Sequence, residues 1–366
     1  MMPRALLAPA LVLVTLACTC VSPTPAPGSS ASSAGASPAG TAARSSSSSP
    51  AAATLAPAPP SLPIPSRAGL RPGALVWQMP GRATCAGAYQ APTARGAVGD
   101  PALLEASGLV ASPAQEGVLW THNDSGDSAR LFALAADGRA LGTYALPHVD
   151  AVDIEDLAAG PCPDLSGPCL YVADTGDNRL RREQLVVYAV PEPLVTPDRP
   201  LARGAEAPFV WIFPLVIPER ANIEALVVLP DATAMLLFEK TEGEVARVFR
   251  YAAPWTPVMP ATVEVVGALS IPAALPALRQ ITGADVHPTG ERVLLRSYSS
   301  VWEATLNLVE GRPTLAALRE VLSGIDEPQG EAVAYDAAGT GIWTLSESPS
   351  GQAGPPLHHA ACTATP

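Results

Sequence analysis

Ser107–Leu146 reads SGLVASPAQEGVLWTHNDSGDSARLFALAADGRALGTYAL. It holds four short runs of β-branched, aromatic and aliphatic residues, divided by turns that carry Pro, Asp and Gly. The opening run, Ser107–Ser112, has a form that recurs along the chain. A small or acidic residue is followed by alternating apolar ones at Ile154–Ala159 (IEDLAA), Ile223–Val228 (IEALVV), Thr282–His287 (TGADVH) and Gly330–Tyr335 (GEAVAY). Each is followed by a turn and a second β-rich run: Val118–His122, Leu170–Ala173, Ala234–Phe238, Val293–Arg296 and Gly341–Leu345. Third runs follow in the first four units, at Ala129–Leu134, Leu185–Val190, Ala246–Tyr251 and Val301–Thr305. Internal repeats of this length, with four short strands each and almost no helical periodicity, predict an all-β chain folded as a β-propeller. A small twisted sheet cannot bury both faces alone, so the units must stack around an axis. Five units are legible. The long interval between Ile154 and Ile223 leaves room for insertions or a sixth, so the expectation is five or six four-stranded blades.

The flanks read differently. Residues 1–20 combine Arg4, an apolar run at Ala10–Ala17 and then Cys18, the form of a secretory signal. The run is short for a bilayer span. Ala17 before Cys18 has the form of a lipobox, which makes Cys18 a candidate lipidation site; plain signal cleavage is the alternative. Residues 21–66 are almost entirely Ser, Ala, Pro, Thr and Gly, a composition that gives a tether rather than a core. Residues 67–366 are expected to form the propeller. Such a protein is exported, either anchored to a membrane of the cell envelope through lipid or secreted.

The net charge is −12. That excludes a nucleic-acid partner, which needs clustered Lys and Arg. Of six cysteines, four lie outside the signal region. Cys162 and Cys169 enclose the short loop PDLSGP, while Cys85 and Cys362 stand near opposite ends of the propeller region. In an oxidising compartment both pairs are candidate disulfides, with free buried thiols as the alternative. A propeller closes by joining strands from its two termini, so a Cys85–Cys362 bridge would lie across that closure.

Asp124-Ser-Gly-Asp127 follows the second run of the first unit. Asp174-Thr-Gly-Asp177, with Asn178, follows that of the next. Such motifs cap their own turns through Gly and Asp, or they offer carboxylate oxygens to a hard cation. In a propeller blade the start of the first strand and the end of the second share one mouth of the channel. The first set holds Glu155, Asp156, Glu224, Asp285 and Glu331; the second holds Asp124, Asp174, Glu239 and Glu347, with Arg296 in the fourth unit. Carboxylates gathered there repel unless a cation joins them. We therefore take Asp124, Glu155, Asp174, Glu224, Asp285 and Glu331 as candidate ligands for a divalent ion, calcium first. Asn123, Asp127, Asp177, Asn178, Glu239, Arg296 and Glu347 are candidate ligand-binding residues around them. The competing reading is a solvated rim in which glutamates tie neighbouring blades. His122 is a candidate general base at the same mouth, while His358 and His359 fall in a tail without an assigned role. Nucleophile-elbow, HExxH and CxxC motifs are absent from the sequence.

The segments WTHNDSGD, DIEDLAA, VADTGDN and NIEALVV resemble bacterial exported propellers of the group called esterase-like activity of phytase, and more distantly calcium-dependent lactonase propellers. The resemblance implies a propeller, an axial metal and calcium-assisted hydrolysis of an ester or phosphate ester. Two functions follow as expectations. One is a cell-envelope module that binds a small molecule or envelope ligand at an acidic mouth. The other is a calcium-dependent hydrolase. The oligomeric state is left open.

Overall fold

The five recurring runs become five inner strands: Ala106–Ala111, Ile154–Pro161, Ile223–Val228, Ile281–Val286 and Gly330–Tyr335. Each packs beside the next, and the last returns to the first, so they close a ring. A computed structural model describes residues 84–309, 312–348 and 354–363. Cys18, the signal and the tether lie outside the described residues. Almost every inner-strand residue is buried. This explains runs that are apolar on both faces, since one face meets the axis and the other the neighbouring blade.

Each inner strand begins an antiparallel meander. Blade I continues through Val118–Asn123, Arg130–Ala135 and Ala140–Ala145. Blade II continues through Pro168–Asp174, Leu185–Pro191 and Trp211–Val216, and blade III through Ala234–Glu239, Ala246–Ala252 and Glu264–Leu269. Blade IV adds Arg292–Ser297, Ser300–Val309 and Arg312–Ser323. Blade V is finished by both ends of the chain. Gly341–Ser346 and Pro356–Ala361 are its second and third strands, and Thr93–Ala97 is its outermost. The segment holding His358 and His359 is thus a strand of the last blade, contrary to the reading of it as a tail. Pro355 and Pro356 hide its start from a period-2 reading.

The fold has five blades. The interval that left room for a sixth holds an excursion between the third and fourth strands of blade II. Within it, Ala205–Glu206 pairs in parallel with the outer strand of blade I. Blade III repeats the device, as Ala261–Thr262 pairs in parallel with the outer strand of blade II. Apolar clusters lie between neighbouring blades. Trp120, Leu131, Leu157 and Val172 pack between I and II, and Tyr171, Phe213, Leu237 and Trp255 between II and III. Leu109, Phe132, Trp343 and Leu345 close V onto I. No helix among the described residues is long and apolar enough to cross a membrane.

Both expected disulfides are present, Cys85–Cys362 across the closure and Cys162–Cys169 across the first hairpin of blade II. They fit an oxidising, exported environment. Their loops differ greatly, with sequence separations of 277 and 7. Loop-closure entropy then predicts that replacing the first pair by serine costs up to about 5 kcal/mol, and the second about 2 kcal/mol. Urea unfolding of the two double variants checks this order.

Asp156 reaches across the axis. Asp156 is fully buried at the start of the blade II inner strand. Its Oδ1 accepts the Leu157 amide at 2.8 Å, and its Oδ2 accepts the amides of Leu226 (2.7 Å) and Ala284 (3.1 Å). One carboxyl thereby joins blades II, III and IV. Asp156→Ala leaves the Leu226 and Ala284 amides buried without an acceptor, at about 1–3 kcal/mol each. We expect a loss of about 2–6 kcal/mol, read as a lower urea midpoint at an unchanged slope.

Candidate metal centre at the axial mouth

The glutamates reach the mouth through a bulge that every blade repeats. The strand ladder slips at Glu155, Glu224, Thr282 and Glu331, and at Ser107–Gly108 in blade I. A bulge re-aims the extra residue. In blades I and IV that residue is a hydroxyl used as a stitch. Ser107 Oγ donates to Glu155 O at 2.6 Å, and Thr282 Oγ1 donates to Gly330 O at 3.1 Å. In blades II, III and V it is a glutamate.

The ladder also corrects the pairing of the two Asp-Gly motifs. The residue opposite the start of each inner strand is Asn123, Asp174, Glu239, Ser297 or Ser346. Asp174 is therefore the counterpart of Asn123. Asp124 stands one place later, with Thr175, Lys240, Tyr298 and Glu347. A shift of one residue sends these two sets in different directions.

Asp124, Asp153 and Glu155 come together. One carboxylate oxygen from each lies within 4.8 Å of the others. Among the described residues none of the three takes part in an ion pair, and the Asp153 and Glu155 carboxylates accept no hydrogen bond. Glu155 is 3% exposed. Burial, then the neighbouring Glu224, Asp124 and Asp153 charges, push its carboxyl well above the usual range. Burial raises Asp124 to about 7, against the Ser125 amide on its Oδ1, and burial and Glu224 raise Asp153 as well. The space around them is kept by Gly176, where a Cβ would overlap Glu155 Oε1 and Asp153 Oδ2. Three hard oxygens from two blades, short of positive charge, suit calcium, which takes six to eight oxygen ligands.

Most other candidates hold the structure around this trio. Asp174 accepts the Asp153 amide at 2.9 Å and pairs with Arg182 at 2.8 Å, so it positions Asp153 rather than joining it. Arg182 also donates to Gly176 O. Asp177 accepts the Arg181 and Arg182 amides, and its own amide donates to Asn222. Asn222 Nδ2 donates to Asn178 and, at 2.6 Å, to Glu224. Glu224 is paired with Lys240 at 2.6 Å. Burial alone would lower Lys240, but Glu224 and Glu331 push it up. Glu331 accepts from Gln329 at 3.0 Å and is raised by burial to about 8. Glu347 is half-buried nearby and is also raised by burial. These groups surround the same opening.

Six candidates are used elsewhere. Asn123 accepts the Leu104 and Glu105 amides and donates to Asp127, which is paired with Arg130. Glu239 is neutralised by Arg247 at 2.6 Å. Arg296 is fully buried on Glu327, beneath Gly330. Asp285 lies three residues past its bulge, towards the opposite mouth. His122 is buried and held neutral, its pKa lowered by burial to about 4. Its Nε2 accepts the Gly108 amide at 3.0 Å, and its Nδ1 donates to Asn123 O at 2.8 Å. Both nitrogens are occupied, so His122 is a brace and not a general base.

Asp153, Asn222 and Gln329 were not singled out in the sequence. Each precedes an inner strand, as do Glu105 and Gln280, so every blade places a polar residue there. That recurrence was the available signal.

No family model matches the chain, and no curated protein matches it. Similar folds occur among solved structures. A gluconolactonase from Xanthomonas campestris is 13% identical with a TM-score of 0.40, over 77% of this chain and 98% of that one. A provisionally named 6-phosphogluconolactonase from Bacteroides fragilis is 12% identical with a TM-score of 0.36, over 66% and 76%. Hydrazine synthase from Kuenenia stuttgartiensis is matched almost as well, at 12% and 0.35, over 67% and 94%. Likenesses at this level, to proteins of such different activity, carry no functional information.

The raised carboxyls set a pH dependence. A group whose folded pKa is raised gives stability that is complete below its unfolded pKa and lost as pH rises through the folded one. With Asp124 and Asp285 at about 7 and Glu331 at about 8, chelated protein should lose their share of its stability between about pH 4 and pH 8. The lowered carboxyls, Glu303, Glu327, Asp127 and Asp336, act below about pH 4, and the lowered imidazoles of His122 and His287 oppose the fall up to about pH 6.5, so the raised carboxyls act alone only above that. The thermal midpoint in chelator should fall from about pH 6.5 to pH 8.

Proposed function

We propose that this is an exported envelope propeller that holds calcium on Asp124, Asp153 and Glu155 and uses it to bind an oxygen-bearing ligand. A lipid on Cys18 and the tether at 21–66 would keep it at a membrane. The observation that carries the reading is Glu155, a buried carboxylate without a partner, facing two more acids across a space that Gly176 leaves open. Burying such a charge alone is costly, and a cation offsets the cost. Three protein ligands leave coordination positions for water and for a carbonyl, carboxylate or phosphate oxygen of the ligand. Lys240, Asn222 and Gln329 are donors around the same opening.

The second reading is calcium-assisted hydrolysis of an ester or phosphate ester. It is favoured by Glu331, which is raised to about 8 and stands at this mouth with Lys240. Calcium would polarise the scissile oxygen. Glu331, protonated at neutral pH, would supply a proton to the leaving group.

Calcium at a hundred times its Kd stabilises a native state by about 2.7 kcal/mol. We expect millimolar calcium to raise the thermal midpoint of the full chain by several degrees over chelator. Glu155→Gln and Gly176→Val should each remove the shift while leaving a cooperative transition. An unshifted native chain would end the metal reading. If calcium binds, lactones, aryl esters and phosphate esters separate the two functions. Turnover that Glu331→Gln removes while calcium binding persists identifies the hydrolase, and binding without turnover identifies the module.

A further inference from the structure

The other end of the channel is built differently. Inner strands run the same way around the ring, so their last residues gather at the mouth opposite the metal centre. Four of the five blades place a proline just there, Pro113, Pro161, Pro230 and Pro288. With the ends of the inner strands they form a cup that opens to solvent. Asp124, Asp153 and Glu155 are not among the residues that line this cup.

The cup has an apolar wall and a carboxylate. Asp285 Oδ1 accepts the Val286 amide and Oδ2 the Tyr335 amide, each at 2.8 Å, which leaves further lone pairs on both oxygens. No lysine or arginine lines the cup. The second acid on its rim, Asp336, is already engaged by the Thr340 amide and His359. The Tyr335 hydroxyl points away to Glu303 at 3.0 Å. Proline has no N–H to offer. The polar side chains of the cup are therefore acceptors, and the one that no cation or imidazole engages is an acid. A ligand that fits must bring donors and positive charge at one end and apolar surface elsewhere.

We propose that this cup is a second ligand site, which takes the ammonium group of a small amine with an apolar body. The amine donates to Asp285, and its hydrocarbon part lies against Val110, Ala159, Val286 and the prolines.

The test titrates hexylamine, with hexanol as its neutral counterpart, into the full chain at about pH 8.5, where the amine is charged. Amide NMR shifts report the site. Hexylamine should move the Val286 and Tyr335 amides, and hexanol should bind at least about tenfold more weakly. Asp285→Asn should weaken hexylamine about tenfold or more. Ala159→Leu, which fills the cup and leaves the carboxylate in place, should do the same and stands in if Asp285→Asn does not fold. Asp198→Ala, which removes an exposed acid away from both mouths, should leave hexylamine binding unchanged. Equal binding of hexanol, indifference to both cup variants, or no binding at about 10 mM hexylamine would overturn the proposal. Calcium affinity is unaffected by any of these outcomes, so the metal reading stands or falls separately.

Discussion

One carboxyl, that of Asp156, sits where five inner strands converge and cannot pair with one another across the axis. Strands in a ring hydrogen-bond outwards within their own blades, and the bulge at each start leaves amides facing inwards. Asp156 accepts such amides from blades III and IV while belonging to blade II. Its burial would be prohibitive without them. Burial raises its carboxyl and the three amides oppose the rise. The two mouths are lined by different residues, and so each can carry its own chemistry.

The two mouths differ because the strand ends differ. At the starting end, bulges turn glutamates into the opening, and hairpin and loop residues add further acids. At the finishing end, prolines follow the strands and one aspartate stands among aliphatic walls. An acid-rich protein could scatter such groups over its surface. Here the repeat concentrates them, because equivalent positions in five blades meet at one radius. Blade-to-blade variation then sets function. Thr175 and Thr282 serve as stitches at ring positions where other blades hold acids.

The propeller was legible because its signal is periodic. Strand starts, turn residues and both cysteine pairs agree on one architecture. The site was only partly legible, since its geometry depends on register. Asp124 and Asp174 look alike in sequence, but the ladder separates them by one position, and a strand reverses direction with every residue. Asp153 was overlooked because it lies outside a strand, where no alternation marks it. Asp285 was misplaced for a related reason: TGADVH begins one residue after the true strand start, and its acid lies too far along to reach the opening. His122 looked available until its two ring nitrogens were traced to backbone groups, which composition and spacing do not reveal.

The bridge between Cys85 and Cys362 has a mechanical meaning. A pull on the chain ahead of Cys85 reaches that residue first, and the covalent link passes part of the load to the third strand of blade V. The outermost strand, Thr93–Ala97, is then not peeled away one hydrogen bond at a time. Strain is shared by two neighbouring strands of the closing sheet, so a propeller drawn by its leading end resists opening at its seam.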